Sequence, residues 1–447
     1  MASIREEARE IPVVAECDVC VVGGSCTGVF AAVRAARLGA RVVVVEKQGR
    51  FGGVATNSLV NVWHSLYNTD FTRQIIAGLT QEVVERLRKR DAITQIDSDP
   101  HKAFVFNSEE LAIELDELVL ESKVRPFLHT VFAAPIVCSG SLVGVAVENK
   151  SGRRAIRAAV FVDATGDADL CHRLGLSTYV PKHPQPPTTC ARIAGWRRLR
   201  GVDVKTLVRE HGADYNLPYG FIWGADVPGS DVHMLAGTRV TGRNCAEADD
   251  LTLSELEGRR QIRAILDIVR HHAPGAVVTL QALPSLIGIR ETRHVECLYR
   301  LRDEDVLYGK RFDDAIANGS YRVDVHHQDR PGITLKYLDG TEVYTAADEK
   351  GDVVRRWREE TKENPTFYQI PLRSLVPPEG NNVIVAGRAL DAEPQAFAGA
   401  RVMVNMNQTG EAAGVASYLA LSGNWSLRDV DPEAVRRLLG EGGSIVV

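Results

Sequence analysis

Residues 18–46, DVCVVGGSCTGVFAAVRAARLGARVVVVE, carry the reading that decides the fold. Val19, Cys20, Val21 and Val22 form a short apolar run suited to a parallel strand buried on both faces. Gly23 and Gly24 break it, and Gly28 follows where a helix must pack closely on that strand. Val29 to Leu38 predicts the helix and Gly39 its end, while Val42 to Val45 predicts a second buried strand running into Glu46. Strand, glycine turn, helix, strand and acid make a dinucleotide-binding unit. Free N–H groups and the dipole at the helix start favour a pyrophosphate, and a carboxylate about 20 residues on reaches the ribose hydroxyls. Glu46 stands in that place. One position departs from G-x-G-x-x-G: the middle glycine, which lets the backbone approach the pyrophosphate, is Ser25. Its Cβ crowds the phosphate or its hydroxyl donates to it. Cys26 and Thr27 complete the loop. Cys26 reads as a small turn residue, because the reactive end of a dinucleotide lies far from its pyrophosphate.

Outward from this unit, Lys47 leads to Gly52-Gly53-Val54-Ala55-Thr56, small residues suited to a loop running along a ligand. Residues 72–90 show helical spacing, and Asn107-Ser108-Glu109-Glu110 opens a helix striped by Leu111, Leu115, Leu118 and Val119. Residues 127–132 predict a strand, and 135–138 with 142–148 a hairpin. Val160 to Asp163 is a buried strand running into Ala164-Thr165-Gly166-Asp167. The segment 181–190, PKHPQPPTTC, is too rich in proline for a helix and marks a crossing into a second region with a helix near 251–270. Asn381 to Arg388 reads as a strand returning to the first sheet, and Gln408-Thr409-Gly410 as the start of a small-residue helix ending near Leu421.

The chain has 447 residues, more than one simple core accommodates. Its net charge of −5 gives no argument for nucleic acid or an anionic membrane as partner, and neither is expected. The opening MASIREEAREIPVVAEC lacks the apolar run of a leader, and no stretch of about 18 apolar residues occurs, so a cytoplasmic protein is expected. The cysteines show no zinc spacing, and no metal is expected. Cys17 and Cys20 form C-x-x-C, but side chains alternate along a strand, so residues three apart are expected on opposite faces.

Together these segments resemble the FAD-dependent oxidoreductases of the glutathione-reductase type. The resemblance rests on the unit ending at Glu46, the loop 52–56, Asp163-Ala164-Thr165-Gly166-Asp167, Gly288-Ile289-Arg290-Glu291-Thr292-Arg293, Ile370-Pro371-Leu372-Arg373 and Val385-Ala386-Gly387-Arg388. It extends to the glycine-rich final helix. It implies an α/β fold: a Rossmann-like FAD-binding domain from discontinuous segments, 15–180 and 371–425, with an inserted α+β substrate domain at 181–370 and a tail at 426–447. It also implies that residues 23–28 hold the pyrophosphate of FAD, Glu46 the ribose and Val131 the adenine. Ala164, Thr165 and Gly166 would line the cofactor, and Gly387-Arg388 would close over it. The helix start at Thr409-Gly410 would face the flavin ring, where its dipole stabilises the reduced form.

Hydride transfer to a flavin calls for a base that takes the alcohol or amine proton. His64, close after the flavin loop, is the first candidate, and His326-His327, in a polar loop after Asp324, the second. His294 is a weaker one. Arg290 and Arg401 are candidates for the cavity wall, Arg290 having as its alternative an Arg–Glu pair between domains. The expected activity is oxidation of a small polar substrate, an alcohol, polyol or amine, by non-covalent FAD, with oxygen or another electron acceptor. A monooxygenase or halogenase using reduced flavin, and a flavin binder without turnover, are the alternatives. No second glycine motif points to a separate NAD(P)H domain, and a homo-oligomer is compatible with the sequence.

Overall fold

The apolar runs at 19–22 and 42–45 become adjacent parallel strands, Val19–Val22 and Val42–Val45, paired Val19 to Val42 through Val22 to Val45. The computed structural model describes residues 3–96, 102–199, 201–218, 222–273, 275, 277–345 and 352–447. Three further strands, Arg125–Phe127, Val160–Asp163 and Val383–Val385, complete an all-parallel sheet. Numbered along the chain, its strands lie in the order 3-2-1-4-5. The order reverses between the first strand and Val160–Asp163, and the crevice beyond the strand ends at such a reversal is where α/β sheets bind ligands. The fold is α/β.

Both faces of this sheet are covered, which is why Val19–Val22, Val42–Val45 and Val383–Val385 are apolar throughout, while the edge strand Arg125–Phe127 is largely exposed. On one face the helix Cys26–Arg37 packs against Met403–Gly423 within one large core. A Cβ on Gly410 would sit 2.1 Å from the Thr27 carbonyl oxygen, and one on Gly414 2.2 Å from that of Ala31, so the two helices meet backbone to backbone. On the other face Val22, Val45 and Phe161 pack under an antiparallel sheet formed by Val131–Cys138, Ser141–Asn149 and Gly152–Arg157.

Several local expectations shift. The strand expected at 127–132 is broken: Phe127 ends one strand and Val131 begins another in a different sheet. The helix expected over 72–90 occupies only Leu79–Arg88, because Gly78 (φ 66°) sets its start. Cys17 and Cys20 share one apolar cluster rather than facing opposite ways, since Cys17 precedes the strand that starts at Val19. Burial pushes the Cys17 thiol up to about 12, where it is inert. Residues 426–447 are no loose tail: Pro432–Glu441 is helical, and the backbone carbonyls of Ile445 and Val447 accept from Asn318 and Gln369. Within 181–370, the four-stranded sheet around Cys190–Ala194 and the helix Ala248–His272 form their own core, whereas Val306, Phe312, Val323 and Tyr368 join the main one. Among the described residues, no helix is long and apolar enough to cross a membrane.

Candidate FAD and substrate site

One cavity of about 590 Å³ opens at the reversal point of the sheet. One end is walled by residues 23–27, Glu46, Lys47, 52–54, Val131, 164–166, Gly387 and Arg388. The other end is walled by His64, Arg290, Tyr321, Arg322, Asp324, His326 and Arg401.

The first end is a backbone cradle. Gly23 has φ 108°, and a Cβ there would lie 2.2 Å from the Ala164 carbonyl oxygen. A Cβ on Gly28 would lie 1.9 Å from the Gly23 carbonyl oxygen, so Gly28 serves the packing of helix on turn and does not itself line the cavity. Ser25 caps the helix: its Oγ accepts from the Gly28 N–H at 3.3 Å. Its Cβ is accommodated by a glycine elsewhere, since a Cβ on Gly53 would stand 2.7 Å from it. The Cys26 thiol donates to the Gly52 carbonyl, and burial raises it to about 12. Glu46 accepts from the N–H groups of Gly24 and Gln48, each at 2.7 Å, which orients its carboxylate at the cavity wall. Burial shifts that carboxyl upward, against the pull of those two donors. Arg388 pairs with Asp167, and its buried Nε has no partner within the protein. A glycine turn at a helix start, an oriented carboxylate and an unsatisfied guanidinium N–H fit the pyrophosphate and ribose of a dinucleotide.

Besides Gly28, four residues expected at the cofactor lie off the cavity. Ala55 is buried in the main core, and the Thr56 Oγ1 donates to the Phe51 carbonyl at 2.5 Å. Thr409 and Gly410 are not at a helix start. The helix begins at Met403, two turns earlier, and its first residues Val402 and Met403 line the cavity. Asn405, Asn407 and Gln408 lie in buried helix, and their side-chain amide nitrogens have internal partners. Gln408 exchanges bonds with Asn318 at 3.1 and 2.8 Å, and Asn405 donates to Tyr368 at 3.1 Å. Thr409 acts one step removed, its Oγ1 accepting from the Gly387 N–H at 3.0 Å and so holding the 387–388 turn.

The second end is made of side chains. Where a polar loop is expected, Asp324 and His326 lie in a strand, Val323–His326, and His327 follows its end. Alternation along it puts Asp324 and His326 on one face. His326 Nε2 lies 3.3 Å from Asp324 Oδ1, and Arg401 and the Tyr321 hydroxyl reach the other oxygen at 3.2 and 2.9 Å. Burial, then the nearby Arg290 charge, brings His326 down to about 3, so it is neutral at physiological pH. Burial opposes charge on Asp324, but His326, Arg401 and Arg322 around it hold the carboxyl well below its usual range. His327 is not at the cavity; it bonds Thr334 at 2.7 Å, and burial with Arg330 lowers it to about 4. His64 packs on Tyr321, ring centroids 4.1 Å apart. Arg290 does not pair with Glu291: it donates to the Pro186 carbonyl at 2.5 Å, while Glu291 receives the Gln185 N–H and faces His294. His294 is wholly buried between Glu291 and the Leu390 carbonyl, a structural histidine. Tyr321, Arg322, Asp324, Met403 and Asn407 were not singled out as site residues. The D-x-H spacing at 324–326, with period-two alternation, is the signal that could have found Asp324.

The family profile described as FAD dependent oxidoreductase matches residues 18–439. The chain belongs to that family. Its cofactor is FAD, which the cradle fits. Among curated proteins, gamma-glutamylputrescine oxidoreductase of Escherichia coli (strain K12) is 35% identical over 113 residues, 23% of this chain and 26% of that protein. Mitochondrial dihydrolipoyl dehydrogenase of Schizosaccharomyces pombe (strain 972 / ATCC 24843) is 30% identical over 109 residues, 22% of this chain and 21% of that one. The chain thus spans about a quarter or less of the length of the curated relatives it matches. Among solved structures, a geranylgeranyl bacteriochlorophyll reductase-like protein from Thermoplasma acidophilum aligns with TM-score 0.48 and 12% identity, over 96% of this chain and 83% of that one. The p-nitrophenol 4-monooxygenase of Pseudomonas putida DLL-E4 aligns with TM-score 0.47 and 12% identity, over 95% and 85%. At these values no chemistry is carried across.

Proposed function

We propose that the protein oxidises a small polar substrate, an alcohol, polyol or amine, by hydride transfer to non-covalently bound FAD. The observation that carries this reading is the single cavity joining the dinucleotide cradle to the Asp324–His326 cluster. FAD, when bound, supplies the two-electron acceptor. The cradle takes its AMP and pyrophosphate, which leaves the far end for the ring and the substrate. There neutral His326 is free to accept a proton from a substrate hydroxyl or amine, and ionised Asp324 stabilises the imidazolium that results. Arg401 and Tyr321 hold Asp324 in place. The start of the helix Met403–Gly423 presents its positive dipole end to the same space. The 3-2-1-4-5 sheet supports the glutathione-reductase-type branch as the finer placement. The similarity to an enzyme named gamma-glutamylputrescine oxidoreductase supports the reaction class.

Anaerobic mixing tests the reading. A substrate from a panel of alcohols, polyols and amines is expected to bleach the flavin directly. Bleaching by NAD(P)H alone would instead favour a monooxygenase cycle, and no bleaching by any donor would favour a flavin binder without turnover.

A further inference from the structure

The far end of the cavity has an unbalanced charge. Arg290 and Arg401 line it, and Arg239, 5% exposed and donating to the Gly332 carbonyl, stands close behind. Asp324 is the one carboxylate among the described residues lining that end, and Arg401 and Tyr321 already engage it. The other acids lining the cavity have partners of their own: Asp167 holds Arg388, Asp169 pairs with Arg293 and Glu46 holds the Gly24 turn. Charge withdrawn from water without a counter-ion is costly, so a surplus of buried guanidinium asks for an anion.

We propose that this end receives the carboxylate of an anionic substrate, with Arg290 as the fork that grips it. The inference rests on the reading above that the substrate occupies this end. Arg290 is placed for the task by a rigid support. Its Nη1 donates to the Pro186 carbonyl, a bond that positions the guanidinium without neutralising it. The proline-dense segment is in turn pinned by the Gln185 N–H to Glu291, and the Gln185 side chain accepts from the His326 N–H at 3.4 Å. A planar guanidinium so held matches a planar carboxylate by paired hydrogen bonds. Burial and the neighbouring Arg401 charge pull Arg290 down to about 9, against the weaker opposing pull of Asp324. Trp223, Ile289, Ile333 and Leu335 line the cavity too, so the carboxylate belongs to a molecule with a short apolar body. The pyrophosphate does not meet this demand, because its cradle is at the opposite end. Negative charge on reduced flavin is a rival anion, and the oxidised enzyme, where the flavin ring is neutral, removes it.

The test is a titration of the oxidised holoenzyme, read as the shift in flavin absorbance, with benzoate, phenylacetate and short aliphatic monocarboxylates. Each is paired with its neutral amide. At least one carboxylate is expected to bind saturably, and its amide at least about tenfold more weakly. Arg290→Gln is expected to weaken carboxylate binding roughly 10- to 100-fold at unchanged flavin content, with partial recovery in Arg290→Lys. Equal binding of acid and amide, no saturation by any carboxylate, or a carboxylate affinity untouched by Arg290→Gln would overturn the proposal. The acid–amide comparison uses the unaltered protein and decides even if the variants fold poorly. Carboxylate binding without bleaching by any donor would sink the hydride reading and leave this one standing. Bleaching by uncharged donors with no carboxylate preference would do the reverse.

Discussion

The two ends of the cavity are built from different materials. The cradle end is backbone: Gly23 and Gly24, the helix start at Ser25, and the Gly52-Gly53 turn, all within 31 residues of chain. The far end is side chain: His64, Arg290, Tyr321, Asp324, His326 and Arg401 come from distant parts of the sequence. A backbone site recognises what every FAD shares, and changing it abolishes binding. A side-chain site selects among substrates, and changing it alters chemistry while the cofactor stays.

That contrast can be broken most severely at Gly28. A Gly28→Val side chain would strike the Gly23 carbonyl, and backbone cannot yield as a flexible side chain can. Purified protein is expected to carry almost no flavin, read as the ratio of absorbance near 450 nm to that near 280 nm. At the far end, His326→Asn should keep the flavin but slow substrate-driven reduction by about 10²- to 10⁴-fold in anaerobic stopped flow. Retained reduction rates would show that another group takes the proton. Away from the cavity, Glu411 and Arg34 form a buried ion pair that also receives Ser444 and the Leu79 N–H. Glu411→Ala leaves Arg34 buried alone and should cost about 3–5 kcal/mol in unfolding free energy while leaving the flavin spectrum of the folded fraction unchanged.

A smaller effect is pH-dependent. His326 titrates near 3 in the fold against 6.5 for a free histidine, so between these values the unfolded chain binds the extra proton. Stability from this group is therefore intact above 6.5 and falls progressively as pH drops toward 3. The melting temperature of His326→Asn should fall less steeply over that window than that of the unaltered protein. The smallest change is Ser25→Gly. It removes a 3.3 Å cap bond, costs a few tenths of a kcal/mol, and leaves FAD bound. Loss of FAD would show that the hydroxyl itself holds phosphate.

The same contrast explains what was legible in the sequence. Glycines, buried valines and Glu46 announce a cradle because local geometry demands those residue types at those spacings. The parallel sheet and the return of Val383–Val385 beside Val160–Asp163 follow from apolar runs ending in glycine or acid. The far end was legible only as residue types. His64, Arg290, His326 and Arg401 could be suspected, but nothing local brings Asp324 to Arg401, since their contact depends on how two distant elements pack. The start of the helix Met403–Gly423 was missed for a related reason. Its buried amide nitrogens at Asn405 and Gln408 donate to Tyr368 and Asn318, partners far away in sequence that nothing local foretells.

Ser25 and Gly53 carry one more consequence. Their Cα–Cβ directions compete for the same space, so the two positions constitute a single choice made at two places in the chain. Substitutions there should be epistatic: Gly53→Asn, the side chain best able to accept φ near 57°, is expected to harm the Ser25 protein more than the Ser25→Gly protein. Among relatives, a side chain at the second position should accompany glycine at the first, and that covariation would mark which members of the family share this form of the phosphate loop.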